Sequence, residues 1–175
     1  MKIGITGTPG TGKSAACKIL KKYYPVIDLN QLIKDKKLYT GKDQQRNTLI
    51  TDTDALIKYV SDYVKYWDVK KTTIFEGHLA HYLPLDVFIV LRASPYELRR
   101  RLIRKGFDDA KINENVEAEA LDVILIEALE MNDNVHEINT SDKDVAEVAS
   151  CVMQILNGSD NYRPGSIDWS EEVFG

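Results

Sequence analysis

The sequence has few cysteines and no long hydrophobic segment. Only Cys17 and Cys151 occur among the 175 residues, and their spacing fits neither a disulfide framework nor a metal-binding motif. No apolar run approaches the roughly 20 residues that a membrane-spanning helix needs. A core strand is predicted from Lys2 onward, which leaves no room for a signal peptide. We therefore expect a cytoplasmic protein without direct membrane contact.

The sequence also lacks an excess of positive charge. It has 23 Lys and Arg against 27 Asp and Glu, a net charge of −4. A general nucleic-acid binder would carry a surplus of basic residues, so direct nucleic-acid binding is not expected. The length predicts one domain at 1–157 with a real core. A tail follows at 158–175, and its aromatic residues Tyr162, Trp169 and Phe174 predict that it docks on the domain or on a partner.

The segment from Gly7 to Ser14 has the pattern of a phosphate-binding loop. It reads Gly-Thr-Pro-Gly-Thr-Gly-Lys-Ser and matches Gly-x-x-x-x-Gly-Lys-[Ser/Thr] at every fixed position. A predicted strand precedes it and a predicted helix follows it, so backbone amides and the helix N-terminus would face one anion. Lys13 adds positive charge on the outer phosphates, and the Ser14 hydroxyl can bind Mg²⁺. The pattern predicts nucleotide binding.

Short apolar strands alternate with helical segments along the chain. Such alternation predicts an α/β fold with a five-stranded parallel sheet and helices on both faces. The stretch 113–131 contains no helix breaker and predicts one mostly buried helix. The predicted strands lie at residues 2–6, 25–29, 72–76, 86–91 and 135–139.

The motifs beyond the phosphate loop favour a small nucleoside monophosphate kinase. A GTPase would show an Asn-Lys-x-Asp motif and an Asp-x-x-Gly switch, and neither occurs. Glu76 ends a predicted strand beside the loop, where an acid usually holds Mg²⁺ through water. His78 could contact a phosphate or be structural, and His81 is predicted to be structural.

A dense basic cluster precedes Gly106 in the sequence. Most of its charges are expected to be solvated, but one or two could contact phosphates, which Arg grips in pairs. Arg92 and Arg101 are the candidates for substrate contact. The cluster consists of Arg92, Arg99, Arg100, Arg101, Arg104 and Lys105.

Several segments together resemble the adenylate kinase isoenzyme 6 family, and most of all its archaeal members. The resemblance runs from Met1 to about Leu156, and Tyr162–Gly165 with Ile167–Trp169 resembles the archaeal C-terminal extension. The segments that carry it are Gly7–Ser14, Leu38–Gly41, Glu76–His78, Val90–Arg92, Lys105–Phe107 and Asn115–Ala120.

This resemblance implies a phosphate-loop kinase fold and the reaction ATP + AMP ⇌ 2 ADP with Mg²⁺. It also implies an ATPase activity and a role in maturation of the small ribosomal subunit, through a small-subunit ribosomal protein. The acceptor nucleotide region falls at about 29–49 with Lys34, and the lid at about 104–113 with Lys105. Lys13, Glu76 and His78 become the catalytic residues, with Ser14 and Glu76 at the metal. The ATP phosphate site becomes Gly10, Gly12, Lys13, Ser14 and Ala15.

The sequence departs from the family pattern at three places, and two alternative functions remain open. Glu76 replaces the usual Asp, Lys105-Gly106-Phe107 replaces Arg-Gly-Tyr, and Lys34 replaces an Arg. Lys keeps the charge but loses the paired grip on phosphate. One alternative is an ATP-switched chaperone of a basic ribosomal protein with weak kinase activity; another is a different small-molecule kinase. The acid-rich stretch 114–130 could supply part of a partner surface.

Overall fold

A five-stranded parallel sheet forms the centre of the protein. The computed structural model describes residues 1–44, 48–65, 71–169 and Glu172. The strands are β1 (Lys2–Thr6), β2 (Val26–Asp28), β3 (Tyr39–Asp43), β4 (Thr48–Thr51), β5 (Thr73–Glu76), β6 (Val87–Arg92) and β7 (Val135–Asn139). The sheet has the order β2-β5-β1-β6-β7, and all its pairings are parallel. The predicted strands are confirmed, and β3 and β4 form a separate antiparallel hairpin that the sequence did not predict.

Helices cover both faces of the sheet, as predicted. They are α1 (Lys13–Leu20), α2 (Leu29–Lys36), α3 (Thr53–Lys65), α4 (Pro95–Arg104), α5 (Asp109–Ala120), α6 (Val123–Met131) and α7 (Val145–Leu156). One core cluster joins α1 and α7 to the sheet, and others join α2, α3 and α6 to the opposite side. None of the helices in the described ranges is long and apolar enough to cross a membrane.

The single buried helix predicted over 113–131 is wrong. The chain forms α5 and α6 instead, because Asp122 adopts a left-handed conformation with φ of 56° between them. The side chain of Asp122 binds Arg92, which gives this break a buried partner. Helix α6 is also less buried than predicted, because it and the residues beside it expose Leu121, Val123, Ile126, Leu129 and Met131.

The acid-rich stretch does not form one continuous surface. Glu119 is 2% exposed and faces the protein interior, whereas Glu114 and Glu117 are exposed. The left-handed Asp122 then separates α5 from α6, which begins at Val123. Glu119 therefore belongs to the interior, and Glu114 and Glu117 belong to the surface.

The described part of the tail packs along β7. The backbone N–H of Glu137 donates to the Tyr162 carbonyl at 2.8 Å, and the Gly165 N–H donates to the Glu137 carboxylate at 3.0 Å. The Tyr162 hydroxyl donates to Gln154 at 2.7 Å. These contacts fit the prediction that the tail docks on the domain. Phe174 lies outside the described residues.

Candidate functional site

The phosphate loop connects β1 to α1 at the carboxyl end of the sheet. Gly7 has a φ of 132°, and a Cβ atom there would lie 2.2 Å from the Leu91 carbonyl oxygen. Gly10 has a φ of 102°, and a Cβ atom there would lie 2.7 Å from the Leu98 side chain. Only glycine meets both conditions, so the loop lies directly against β6 and α4.

The Lys13 ammonium group is folded back onto the loop. It is 8% exposed, and its Nζ donates to the carbonyls of Gly7 at 2.6 Å and Thr8 at 3.0 Å. Burial lowers the pKa of Lys13 to about 8, although the carboxylates of Glu76 and Glu119 oppose this shift. These two carbonyls accept the hydrogen bonds that the Lys13 ammonium group would donate to a bound phosphate.

We expect ATP binding to take up a proton on the alkaline side of this pKa. Phosphate anions next to Lys13 favour its charged form, so the pKa of about 8 rises on binding. ATP affinity should therefore fall as pH increases above 8, by up to about tenfold per pH unit. Calorimetry in buffers of different ionisation enthalpy measures the uptake. Lys13→Arg stays charged throughout and should show none.

Ser14 and Glu76 form an oxygen-donor pair beside the loop. The Ser14 hydroxyl donates to Glu76 Oε1 at 2.8 Å, and Glu76 is 5% exposed at the end of β5. A hydroxyl and a carboxylate are donors that Mg²⁺ accepts, so this pair fits the predicted ion. No group of three or more His, Cys, Asp or Glu side chains in the described residues could hold a metal. An ion here would complete its ligands with phosphate and water.

Two cavities open side by side at this end of the sheet. The first, of about 580 Å³, follows the phosphate loop and is lined by residues that include Lys13, Ser14, Glu76, Arg101, Lys105 and Val145. The second, of about 650 Å³, is lined by residues that include Ile33, Lys34, Leu49, Lys111, Asn115 and Ala118. Pro9, Asn30, His78 and Phe107 line both.

His78 therefore lies where the two cavities meet. Burial lowers its pKa to about 4, with smaller contributions from Lys13 and His81. The imidazole is therefore uncharged near neutral pH, and it can donate one hydrogen bond to a ligand and accept another from it. Its position gives it access to molecules in either cavity.

The structure places the other predicted residues in different surroundings. Gly10, Gly12, Ala15, Arg101 and Lys105 line the first cavity. Part of the hydrogen-bonding capacity of Arg101 is used within the protein, because its guanidinium donates to the Thr140 carbonyl at 2.6 Å and to Glu97 at 2.9 Å.

Lys34 lines the second cavity and is exposed. The predicted acceptor region at 29–49 supplies further lining residues, although residues 45–47 lie outside the described ranges. The predicted lid includes the turn between α4 and α5, where Phe107 contributes to both cavities.

Arg92 has a different role from the predicted substrate contact. It is 1% exposed and lines neither cavity. Its Nε donates to Glu119 and its Nη1 to Glu137, both at 2.7 Å, and its Nη2 binds Asp122. A guanidinium enclosed by these carboxylates has no free edge for a phosphate. The predicted substrate contact of Arg92 is therefore wrong, and its role is structural.

Sequence reasoning missed the contribution of α5 to the second cavity. Lys111 and Asn115 lie one turn apart on this helix and both face the cavity. The signal was present, because residues four apart share a helix face. The sequence could not show which face of α5 lines this cavity, because α5 is positioned by packing of Ile112 and Val116 against α4.

Comparisons with known proteins place the chain in a family. Residues 3–122 match the AAA domain family. A "Putative adenylate kinase" of Methanosarcina acetivorans is 42% identical, over 99% of this chain and 100% of the relative. A protein of the same name from Methanocaldococcus jannaschii is 36% identical, over 99% of this chain and 96% of the relative. The chain belongs to this archaeal family. That confirms the archaeal part of the resemblance, and the isoenzyme 6 subgroup stays a prediction.

Solved structures support the fold of this archaeal family member. A shikimate kinase from Bacteroides thetaiotaomicron matches with a TM-score of 0.61 and 17% identity, over 90% of this chain and 98% of that one. A deoxyadenosine kinase from M. mycoides with bound dATP matches with a TM-score of 0.55 and 18% identity, over 90% of this chain and 100% of that one. Identities this low show the fold alone, which is the predicted phosphate-loop kinase fold.

Proposed function

We propose that this protein is a small adenylate kinase that transfers the γ-phosphoryl group of ATP to AMP. The observation that carries the proposal is the pair of cavities that meet beside the phosphate loop at His78 and Phe107. A phosphoryl transferase for two nucleotides needs one site for each, with the reacting phosphates adjacent. The names of the archaeal relatives support the same reaction.

ATP would occupy the first cavity, with its phosphates on the loop. Lys13 would exchange its bonds to the Gly7 and Thr8 carbonyls for bonds to phosphate oxygens, and Lys105 would add a second cation. Ser14 and Glu76 would hold a magnesium ion, which neutralises charge on the phosphates when bound. These groups stabilise charge that is spread over the transferred phosphoryl group, which is the main task of such a site.

AMP would occupy the second cavity. Lys34 and Lys111 supply positive charge from α2 and α5 on its two sides. The acceptor phosphate is already an anion, so no strong base is required, and a neutral His78 fits this chemistry. Closure of the turn around Phe107 would cover both nucleotides and exclude water, which otherwise accepts the phosphoryl group.

The test is ADP formation from ATP in the presence of each nucleoside monophosphate, with an ATP-only control. We expect AMP to give the fastest transfer. Lys34→Met should raise the KM for AMP by about tenfold, since one charged contact to phosphate is lost, with little change in the KM for ATP. Lys36→Met, on the same helix but outside both cavities, is the matched control. A rate independent of every monophosphate would contradict the proposal.

A second candidate is an ATPase that controls binding of a basic small-subunit ribosomal protein during ribosome maturation. Helix α6 exposes several apolar residues together with the acidic side chain of Glu130, and this surface favours a partner of this kind. In this case nucleic acid is contacted indirectly, through the pre-ribosome. Adding such a protein to the ATP-only reaction separates the two candidates. A larger stimulation by this protein than by AMP would favour the second candidate.

A further inference from the structure

A buried polar array links His78 to helix α6. His81 is 1% exposed, and its ring lies between Thr6 at the end of β1 and Glu127 of α6. Its Nδ1 is 3.1 Å from Thr6 Oγ1, and its Nε2 is 3.1 Å from Glu127 Oε2. The Thr6 hydroxyl also contacts the backbone carbonyl of His78 at 3.2 Å. Asn132 reinforces the link, because its side chain donates to the His81 carbonyl at 3.0 Å.

The number of hydrogens decides which of these bonds coexist. Thr6 has one hydroxyl hydrogen, which it can donate either to the His78 carbonyl or to His81 Nδ1. If His81 donates from Nε2 to the Glu127 carboxylate and stays neutral, Nδ1 is an acceptor and competes with the His78 carbonyl. If His81 carries both ring hydrogens, Nδ1 donates to Thr6, and the Thr6 hydrogen is left for His78. The His81 ring therefore controls the anchor of the His78 backbone.

We propose that His81 is a positioning residue for His78, acting through the hydroxyl of Thr6 and held in place by Glu127. The inference rests on the proposed kinase function, in which His78 lies beside both nucleotides. His81 itself lines neither cavity, so it does not touch substrate. Its role is to fix the backbone from which His78 projects toward the point where the cavities meet.

Packing alone does not account for this array. An apolar side chain would fill the same volume without the cost of burying an imidazole and a hydroxyl. The chain supplies a direct comparison in Thr73 at the start of β5, which is fully buried and whose hydroxyl has no hydrogen-bond partner among the described residues. The fold thus tolerates one buried threonine hydroxyl that lacks a partner in the described ranges, whereas the hydroxyl of Thr6 bridges two histidines.

Steady-state kinetics of Thr6→Val tests the proposal. The variant keeps the side-chain volume but removes the hydroxyl. We expect kcat to fall about tenfold, a typical result of misplacing a group at the reacting centre, and the KM values for ATP and AMP to stay within about twofold. Thr6→Ser keeps the hydroxyl and should restore kcat, and Thr73→Val is the matched control that should leave kcat unchanged.

A second variant covers the case in which Thr6→Val does not fold. The Glu127 side chain is 38% exposed, so Glu127→Ala should fold, and it breaks the array from the α6 side. We expect it to lower kcat at least about twofold with unchanged KM, because the misplacement is smaller. Values of kcat within error of wild type in every folded variant of this array would overturn the proposal.

A readout independent of activity separates this proposal from the proposed function. The protein has three histidines, so nitrogen NMR of labelled histidine can follow each ring. Thr6→Val should shift the signals of His81 and His78 and leave those of His136 unchanged. If the wild type makes no ADP from AMP, the proposed function fails, while the NMR result still tests the array. An unchanged His78 signal would contradict the positioning role.

Discussion

Lys13→Ala is expected to reduce phosphoryl transfer by at least about a hundredfold, the loss typical of removing one preorganised charge-stabilising group. The Nζ of Lys13 lies in the bend of the loop, against the Gly7 and Thr8 carbonyls. Without it, the charge on the transferred group has no partner at this position. The coupled assay for ADP formation measures the loss.

The fold should survive this change. Burial disfavours the charged form of Lys13, which lowers its pKa to about 8. Removing the ammonium group therefore removes a desolvation penalty, and this offsets the loss of its hydrogen bonds to two carbonyls. The circular dichroism spectrum and thermal midpoint should stay near those of the wild type. Lys18→Ala, at an exposed position on the same helix α1, is the control and should keep full activity. Near-normal turnover in Lys13→Ala would contradict the assignment of the phosphate loop.

Arg92→Met is expected to lower the free energy of unfolding by about 3–5 kcal/mol, the usual cost of removing one partner from a buried ion pair. The variant leaves the carboxylates of Glu119 and Glu137 buried without a cation. Burial already raises the pKa of Glu137, opposed by the Gly165 N–H and by Arg92, so loss of the guanidinium should raise it further. Urea denaturation followed by circular dichroism measures the change.

The matched control is an arginine on the surface. Arg163 is 78% exposed, and its guanidinium lies 3.6 Å from Asp160. Arg163→Met should change the free energy of unfolding by less than about 0.5 kcal/mol, as expected for a surface position. If Arg92→Met were equally mild, the carboxylates would have to be neutral in the folded protein, and the proposed role of Arg92 would be wrong.

The Arg92 cluster also reaches the phosphate loop. Glu119 binds the Arg92 guanidinium with one carboxylate oxygen and accepts from the Thr8 hydroxyl with the other. The Thr8 carbonyl is one of the two that hold Lys13. Loss of Arg92 should therefore weaken ATP binding as well as stability, although Arg92 touches neither cavity.

The sequence by itself determined the central sheet and the phosphate site. The strands β1, β5 and β6 are short, mostly apolar runs, and burial of a parallel strand on both faces requires such runs. The loop from Gly7 to Ser14 could be predicted because its function depends on backbone conformation, and the glycines that permit this conformation have fixed spacing.

Only the tertiary structure decided what each charged side chain does. Arg92 and Arg101 were both candidates for substrate contact, yet one is enclosed by three carboxylates and the other lines a cavity. The partners of Arg92 lie at least 27 positions away in the chain. No local pattern encodes such distant pairing.

The same reason explains the role of α5 and α6. The absence of a helix breaker predicted one helix over 113–131, but Asp122 adopts a left-handed conformation there and its carboxylate contacts Arg92 across the fold. Lys111 and Asn115 of α5 line the second cavity, and Glu127 of α6 contacts His81. The sequence determined which residues could form a kinase site, and long-range ionic and apolar contacts in the interior decided which of them do so.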